Sequence, residues 1–386
     1  MVVAMNAFSL SPVPEIRYGE GRLIEAGAIA ADRAGTGATV LVIADPILAS
    51  LGHTARLGQS IAAAGLRMEL FEGLAGEPKA ATIDAAATLA ANTGANAVIG
   101  LGGGSALDTA KLVACCAASG LSASAYELCA TPLPANRLPL IAIPTTAGTG
   151  SEVTRTSVYA NAAGQKVWAW GTELKPDHAL LDPALTAAVP AAVTAATGLD
   201  ALVHAIEAAT NRNHNPGSDI YAHRAIALIG GALEKAVISP DDMAARGALL
   251  LGSCLAGIAF DNTGTALAHN ISHAVADLAP IPHGRATGLA MLATIDWVRE
   301  GDPEAFNGVA RAMGAEDVVM AYLRLVRATG IKISLVGDGL DLGRPELLAE
   351  RMAAPANAPM RKSTRRYPTD EDLLTLAKRF YALGQE

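Results

Sequence analysis

Four short apolar segments in the first half of the chain constrain its fold most strongly. The segments 38–44, 67–71 and 96–101 are rich in residues that favour strands and begin 29 residues apart, and the fourth, 138–143, follows them. The stretches between them carry Ala and Leu at helical spacing. Strand–helix–strand units of about 30 residues are typical of a parallel sheet covered by helices. The first half is therefore predicted to be an α/β domain.

The second half of the chain has a different pattern. From Pro190 onward, long segments rich in Ala and Leu predict helices, and no segment convincingly predicts a strand. The segment 367–383 predicts a C-terminal helix with Thr369 as its N-cap and acidic residues in its first turn. We therefore expect an α/β domain over residues 1–188 and an all-helical domain over 189–386.

The composition excludes several classes of protein. The 386 residues include 29 Lys and Arg against 37 Asp and Glu, which gives a net charge of −8, and 51 % are hydrophobic. These proportions argue against a disordered chain, and the acidic balance argues against a nucleic-acid partner. The N-terminus lacks the basic and apolar regions of a signal peptide. The longest uncharged stretch that stands out, 183–199, is interrupted by Pro190, so no membrane partner is expected.

A run of three glycines follows the third predicted strand. Gly102, Gly103 and Gly104 come directly after Leu101, and a helix is predicted to begin near Ser105. Glycines at a strand-to-helix turn let backbone N–H groups approach a phosphate, and the helix N-terminus adds partial positive charge. The run matches neither the GxGxxG fingerprint nor a Walker loop. It predicts a diphosphate site, with a plain tight turn as the alternative.

Two further features lie at the ends of predicted strands, where open α/β sheets bind ligands. The loop 144–152, of sequence PTTAGTGSE, offers hydroxyl and N–H groups to a ribose, a phosphate or a nicotinamide amide. Asp45 ends the first strand, where a carboxylate accepts hydrogen bonds from ribose hydroxyls and repels a 2′-phosphate. Asp45 therefore favours NAD over NADP, unless it serves only as a turn residue before Pro46.

Histidines cluster in the helical half. Asp200 and His204 are four residues apart on one helical face, as are His269 and His273, and His283 follows in the segment PIPHG. A single histidine on an apolar helix is usually a core residue, but several buried polar groups together require partners. A set of one carboxylate and three imidazoles suits Fe²⁺, Zn²⁺, Mn²⁺ or Co²⁺. The pattern predicts a divalent metal site.

These motifs together resemble the iron-containing (group III) alcohol dehydrogenases. The matching segments, in the order of that family, are GGGSALDTAK at 102–111, PTTAGTGSEVT at 144–154, LDPALT at 181–186, GLDALVHAIEA at 198–208 and AFDNTGTALAHNISHAVADLAPIPHG at 259–284. The resemblance implies a fold of the dehydroquinate synthase-like type. In this fold an N-terminal dinucleotide-binding α/β domain precedes an all-α domain, with a catalytic metal in the cleft between them.

The resemblance also implies roles for individual residues. The metal ligands are expected to be Asp200, His204, His269 and His283, holding Fe²⁺ or Zn²⁺. His273 is expected to be the catalytic residue beside the substrate and nicotinamide, and Phe260 to line the substrate pocket. The residues expected to bind NAD are Asp45, Gly102, Gly103, Gly104, Ser105, Asp108, Thr145, Thr146, Thr154 and Lys166. The implied activity is hydride transfer between NAD(H) and a small alcohol or aldehyde, in a cytoplasmic homodimer or higher homo-oligomer.

The sequence leaves other functions open. A dehydroquinate-synthase-like lyase and a polyol or polyol-phosphate dehydrogenase share the fold, and a non-catalytic NAD-binding sensor is a third possibility. The neutral, apolar segments around the predicted metal argue against a phosphorylated substrate. Three features depart from the family pattern, one of which is the segment 352–366, which matches the usual ending only loosely. Trp168 and Trp170 replace a stretch that is often rich in Gly and Ser, and Asp261 is either a substrate contact or a solvated charge on its helix.

Overall fold

A computed structural model of the protein describes residues 7–383 and contains two compact units. The first unit spans Val13–Val189, and the second comprises residues 190–383 together with 7–12. Residues 7–12 thus differ from the expected division, which placed them in the α/β domain. They belong to the second unit because they pack there: the Ser11 amide donates to Asn262 Oδ1 at 2.7 Å, and Phe8 lies against Gly217.

The first unit is built on a parallel sheet of six strands in the order β1-β8-β5-β4-β2-β3, and a separate antiparallel hairpin, β6–β7. The strands are β1 Glu15–Tyr18, β2 Thr39–Ala44, β3 Arg67–Phe71, β4 Ala95–Gly102, β5 Leu140–Pro144, β6 Thr156–Ala160, β7 Lys166–Trp170 and β8 His178–Leu181. The four predicted strands correspond to β2, β3, β4 and β5, so the predicted α/β class is confirmed.

Helices cover both faces of the sheet. They are α1 Ala26–Ala34, α2 Ile47–Ser50, α3 His53–Ala63, α4 Ala80–Thr93 and α5 Gly104–Ser119. The β2 residues Val40 and Val42 contribute to one apolar core with residues of α1 and α3, while Leu41 and Ile43 contribute to a second core with residues of α4 and α5. Burial on both faces explains why β2 is apolar from Val40 to Ala44 and does not alternate with polar residues.

The order of the strands creates a topological switch point. From β2 the chain crosses to β3 on one side and then returns to β4 on the other side of β2. Ligands bind outside the carboxyl ends of strands at such a point. Asp45 follows β2, Gly102 ends β4, and Thr145 follows β5, so three segments predicted to bind the cofactor lie at one edge of the sheet.

In its described part, the second unit consists of helices and short 3₁₀ turns without a strand. The helices are α6 Ala191–Thr210, α7 Pro216–Ile238, α8 Met243–Thr263, α9 Leu267–Ala276, α10 His283–Arg299, α11 Pro303–Ala312, α12 Val318–Ala328, α13 Pro345–Ala353, α14 Ala358–Ser363 and α15 Asp370–Ala382. The prediction of an all-helical second half is confirmed, as is Thr369 as the N-cap of the last helix.

Helix α8 is long and apolar enough to cross a membrane by length and composition. However, 67 % of its most apolar 18-residue window is buried within the unit. It packs beside α6 and α7, and its buried residues include Leu250, Cys254 and Ile258. This degree of burial is typical of a core helix in a globular unit.

Candidate functional site

The glycine turn between β4 and α5 has the geometry of an anion-binding loop. Gly102 has a φ of +151°, a conformation that disfavours a side chain, and a Cβ atom there would lie 2.7 Å from Ala106 Cβ. A Cβ atom at Gly104 would lie 2.7 Å from Thr149 Cγ2. The turn leads into α5, which has 16 residues and an N-terminus with no side-chain cap. The amides of Ala106 and Leu107 donate to the Gly103 carbonyl oxygen, whereas those of Gly104 and Ser105 have no hydrogen-bond partner among the described residues and suit an anion.

The loop after β5 lies against this turn. The amide of Thr145 donates to the Gly102 carbonyl oxygen at 2.9 Å, and a Cβ atom at Gly103 would lie 3.3 Å from Thr146 Oγ1. On the other side of the turn, the Asp45 carboxylate accepts a hydrogen bond from the Ile47 amide at 3.2 Å. The structure thus brings Asp45, the glycine turn and the threonine loop together, as a dinucleotide site requires.

Two other predicted cofactor residues, Asp108 and Thr154, bind protein groups. The Asp108 carboxylate accepts hydrogen bonds from the Ser151 hydroxyl and from the Val158 amide, the latter at 2.9 Å. Thr154 Oγ1 accepts a hydrogen bond at 3.0 Å from the buried Lys111. Asp108 and Thr154 thus connect α5 to the segment that follows β5.

The hairpin β6–β7 carries Lys166 and the two tryptophans. Lys166 Nζ lies 3.1 Å from Glu77 Oε1, so this predicted ribose contact has an ion-pair partner within the protein. Trp168 and Trp170 both lie in β7. The Trp170 side chain is 49 % exposed, and the Arg155 guanidinium lies 4.7 Å from its ring centroid in a cation–π contact.

In the helical unit, three of the predicted ligands converge. Asp200 Oδ1 lies 3.6 Å from His269 Nε2 and 3.7 Å from His283 Nε2. Two ligands about 2.1 Å from one tetrahedral ion are roughly 3.4 Å apart, so this spacing fits a single ion. Asp200 Oδ1 and His269 Nε2 are buried and have no hydrogen-bond partner among the described residues, as expected of two atoms that ligate one ion. The donor set suits a divalent metal.

The fourth predicted ligand, His204, lies beside this group and is not part of it. Its Nδ1 is 3.9 Å from Asp200 Oδ2, and its ring stacks between Phe260 and His269 with centroid distances of 4.3 Å to each. His273 is adjacent, with its ring centroid 5.5 Å from that of His283. Asp261 is buried in α8, next to Phe260 in the chain.

A glycine sets the distance between the helices that carry Asp200 and His283. Gly284, the second residue of α10, lies so close to α6 that a Cβ atom there would be 2.4 Å from the Ala196 carbonyl oxygen. It would also lie 3.3 Å from Asp200 Cβ. Only glycine permits this approach, which is why His283 in the first turn of α10 can reach the Asp200 carboxylate.

Both histidines of the converging group have a hydrogen-bond partner at Nδ1, the ring nitrogen that faces away from Asp200. His269 Nδ1 lies 2.6 Å from Glu207 Oε2, and His283 Nδ1 lies 2.8 Å from Ser272 Oγ. Contacts of this kind fix the ring orientation and the tautomer of a ligating histidine. The sequence analysis identified neither Glu207 nor Ser272 as functional. Glu207 could have been recognised because it shares a helical face with Asp200 and His204.

The electrostatics of the group favour a bound cation. Burial opposes ionisation of Asp200, but the neighbouring His204, His283 and His269 outweigh it and hold the pKa of its carboxyl well below the usual value. Burial likewise opposes a charge on His269, yet Glu207 and Asp200 raise its pKa to about 9. Two buried carboxylates therefore act on one imidazole, an arrangement that attracts positive charge.

Comparisons with known proteins agree with this geometry. Residues 13–183 match the family described as iron-containing alcohol dehydrogenase, and residues 194–381 match its C-terminal domain family. The chain is 41 % identical over 298 residues to the probable alcohol dehydrogenase EutG of Escherichia coli K12, covering 76 % of this chain and 75 % of that protein.

Solved structures share the same architecture. A 1,3-propanediol oxidoreductase superposes with a TM-score of 0.90 at 28 % identity, covering 97 % of this chain and all of that one. Sulfoacetaldehyde reductase from Bifidobacterium kashiwanohense, solved in complex with NAD⁺, also has a TM-score of 0.90, at 29 % identity, with 99 % and 100 % of the two chains covered.

Proposed function

This chain belongs to the iron-containing alcohol dehydrogenase family, and we propose that Asp200, His269 and His283 hold its divalent ion, with His204 as the fourth ligand once its ring turns toward the ion. The protein is an NAD-dependent, metal-dependent alcohol dehydrogenase or aldehyde reductase. One observation supports these ligands most directly. Asp200 Oδ1 and His269 Nε2 are buried, have no hydrogen-bond partner among the described residues and lie 3.6 Å apart. Unpartnered buried polar atoms are costly and require an occupant.

The residues near the proposed metal site have different proposed roles in hydride transfer. A divalent ion bound there supplies Lewis-acid activation of the substrate oxygen. We propose that His273 carries the proton that leaves an alcohol or reaches an aldehyde, because an imidazole titrates near neutral pH and this one adjoins His283. Phe260 is proposed to line the substrate pocket from its position against His204, and buried Asp261 to contact a polar group of the substrate.

The α/β unit is proposed to bind NAD at the switch point of its sheet. Gly102, Gly103, Gly104 and Ser105 hold the diphosphate, and Asp45 accepts hydrogen bonds from the adenosine ribose. Thr145 and Thr146 contact the cofactor from the neighbouring loop, whose position is supported by the bond from the Thr145 amide to Gly102. Asp108, Thr154 and Lys166 are proposed to reach the cofactor as well, in addition to their protein partners.

Three proposals concern the whole molecule. The α/β unit, residues 13–189, is proposed to be the NAD-binding domain, and the helical unit, residues 190–383 with 7–12, the metal-binding and catalytic domain. The protein works in the cytoplasm, in keeping with four cysteines that form no disulfide. It assembles as a homodimer or a higher homo-oligomer, as the family resemblance implies.

The experiment uses protein purified without oxygen, chelated protein, and chelated protein resupplied with Fe²⁺ or Zn²⁺. NADH formation is measured against a panel of short alcohols, diols and hydroxy acids, and NADH consumption against the matching aldehydes. Turnover that disappears on chelation and returns with the ion supports the proposed site. Undiminished turnover after complete metal removal, or no turnover by protein that binds both metal and NAD stoichiometrically, contradicts it.

A further inference from the structure

The buried carboxylate of Glu207 links two elements of the metal site. Glu207 lies on α6, seven residues after Asp200, and is almost wholly buried. Its Oε2 atom accepts a hydrogen bond from the Ala266 amide at 2.6 Å, and its Oε1 atom accepts one from the Ala268 amide at 2.7 Å. The amide of His269 points to the same Oε1 atom at 3.4 Å.

These contacts make Glu207 the cap of helix α9. Ala266, at the N-cap position, has no side chain that could bind the free amides of the first turn. A carboxylate from another helix supplies the acceptor and also interacts favourably with the helix dipole. The start of α9, which carries His269 as its third residue, is therefore held at a fixed place relative to α6, which carries Asp200.

The same carboxylate fixes the ring of His269. With Nδ1 2.6 Å from Glu207 Oε2, the ring donates its Nδ1 proton to the carboxylate, so Nε2 is the nitrogen that faces Asp200 and is available to an ion. A carboxylate partner also makes an imidazole a stronger donor to a metal. One side chain thus determines the position, the tautomer and the basicity of this ligand.

The second histidine is held differently. The Nδ1 atom of His283 contacts the hydroxyl of Ser272, which accepts a hydrogen bond at 2.9 Å from the Thr287 hydroxyl. This partner is neutral, so it orients the His283 ring but adds no charge. The His283 side chain is also 28 % exposed, against 2 % for that of His269. The two imidazoles therefore differ in both charge support and access to solvent.

We propose that Glu207 is a positioning residue, and that because of it His269 binds the ion more strongly than His283 does. The inference rests on the proposed metal site and ranks its ligands. It predicts that metal affinity depends more on Glu207 than on Ser272, although neither side chain contacts the ion.

The test compares Glu207→Gln with the matched control Ser272→Ala, in the full-length protein. Each is stripped of metal and titrated with Co²⁺ or Zn²⁺ against a chromophoric chelator, and the visible spectrum of the Co²⁺ form is recorded. Glu207→Gln is expected to weaken binding by about 10–100-fold and to change the Co²⁺ spectrum. Ser272→Ala is expected to weaken binding by less. Thermal unfolding of the metal-free variants measures any loss of the helix cap separately from the loss of metal affinity.

A third variant covers the case in which Glu207→Gln does not fold. Glu207→Asp keeps the charge beside α9 but shortens the side chain by one methylene, and it is expected to lower metal affinity through the lost contact with His269. Unchanged affinity and an unchanged Co²⁺ spectrum in the folded variants would overturn the inference, as would a larger loss in Ser272→Ala. If the unmodified protein binds no stoichiometric metal, the proposed site itself fails.

Discussion

Asp45 follows β2, Gly102 ends the neighbouring parallel strand β4, and a Cβ atom built on Gly102 would lie 3.6 Å from the Cβ atom of Asp45. This proximity follows from the switch in strand order between β2 and β4. It places a carboxylate directly beside the turn proposed to hold a diphosphate. A ribose next to that diphosphate is within reach of the carboxylate, and a 2′-phosphate there would meet a like charge.

Replacement of Asp45 by Ser is therefore expected to relax the preference for NAD. Removal of the repulsion should raise kcat/KM with NADP⁺ relative to NAD⁺ by about 10–100-fold, which corresponds to about 1.4–2.8 kcal/mol of like-charge repulsion at this partly exposed position. Steady-state kinetics with both cofactors measures the ratio. The control is Asp32→Ser, which removes the same charge from an exposed position on α1. An unchanged ratio in Asp45→Ser would show that Asp45 only caps its turn.

The glycines of the turn are expected to differ in their tolerance of a side chain. Gly102→Ala forces a Cβ atom into a left-handed conformation 2.7 Å from Ala106 Cβ, so it should cost about 1–3 kcal/mol of stability and raise the KM for NAD⁺. Gly103 has an ordinary φ of −77°, and a Cβ atom there would lie 3.3 Å from its nearest neighbour. Gly103→Ala should therefore lose less stability than Gly102→Ala and show a smaller rise in the KM for NAD⁺. Denaturant unfolding and NAD⁺ titration of the two variants test this prediction. A greater loss of stability and NAD⁺ affinity in Gly103→Ala than in Gly102→Ala would contradict it.

The elements that the sequence predicted correctly are those whose local pattern and tertiary environment agree. Strand β3 begins and ends where it was predicted, at Arg67 and Phe71, and β2 is recognisable because it is buried on both faces. The short strands β1 and β8 were missed because each has only four residues, too few to establish a pattern. Strand β7 was also missed, although its residues alternate regularly between buried and more exposed positions.

The arrangement of the ring atoms in the metal site could not be predicted from the sequence. Helical spacing placed Asp200 and His204 on one face, but it could not determine which ring atoms converge. In the structure His283 joins Asp200 and His269, whereas the His204 ring stacks alongside. The contact between Glu207 and His269 spans 62 residues of sequence and depends on where the start of α9 lies relative to Glu207. Such contacts are tertiary, and no local pattern encodes them.

Loss of His204 tests whether it completes the ligand set. If its ring turns to the ion, His204→Ala should weaken metal binding by more than the ~10–100-fold that an outer-shell partner is worth. Activity should then fall because metal is lost, and it should return in part at high metal concentration. Metal analysis after dialysis gives the answer. Full retention of metal by the folded variant would remove His204 from the ligands and leave three protein groups.

Loss of His273 is expected to produce the opposite result. His273→Ala should keep its metal, because the ring lies beside the three converging ligands and is not one of them. Its turnover should fall by roughly 10²–10⁴-fold, the usual contribution of general acid–base catalysis. The deficit in aldehyde reduction should be largest at low pH, where the protonated imidazole supplies a proton. Loss of metal from this variant would instead place His273 in the ligand set.

The burial of Glu152 predicts that the stability of the protein falls as the pH rises. This glutamate of the threonine loop is 2 % exposed, and burial raises its pKa to about 7, against an ordinary 4.5. Between these values the folded protein retains a proton that the unfolded chain has lost, so this contribution to stability is complete below pH 4.5 and is lost as the pH rises through 7. A shift of this size corresponds to about 3 kcal/mol.

Glu152→Gln cannot ionise and should not show this loss. From about pH 5 to about pH 8, the free energy of unfolding of the unmodified protein should therefore fall relative to that of Glu152→Gln. Urea unfolding of the two proteins at matched pH values measures the difference, with Glu69→Gln, which is only partly buried, as the control. Parallel pH dependence in all three proteins would show that Glu152 is ionised in the folded state at every pH tested.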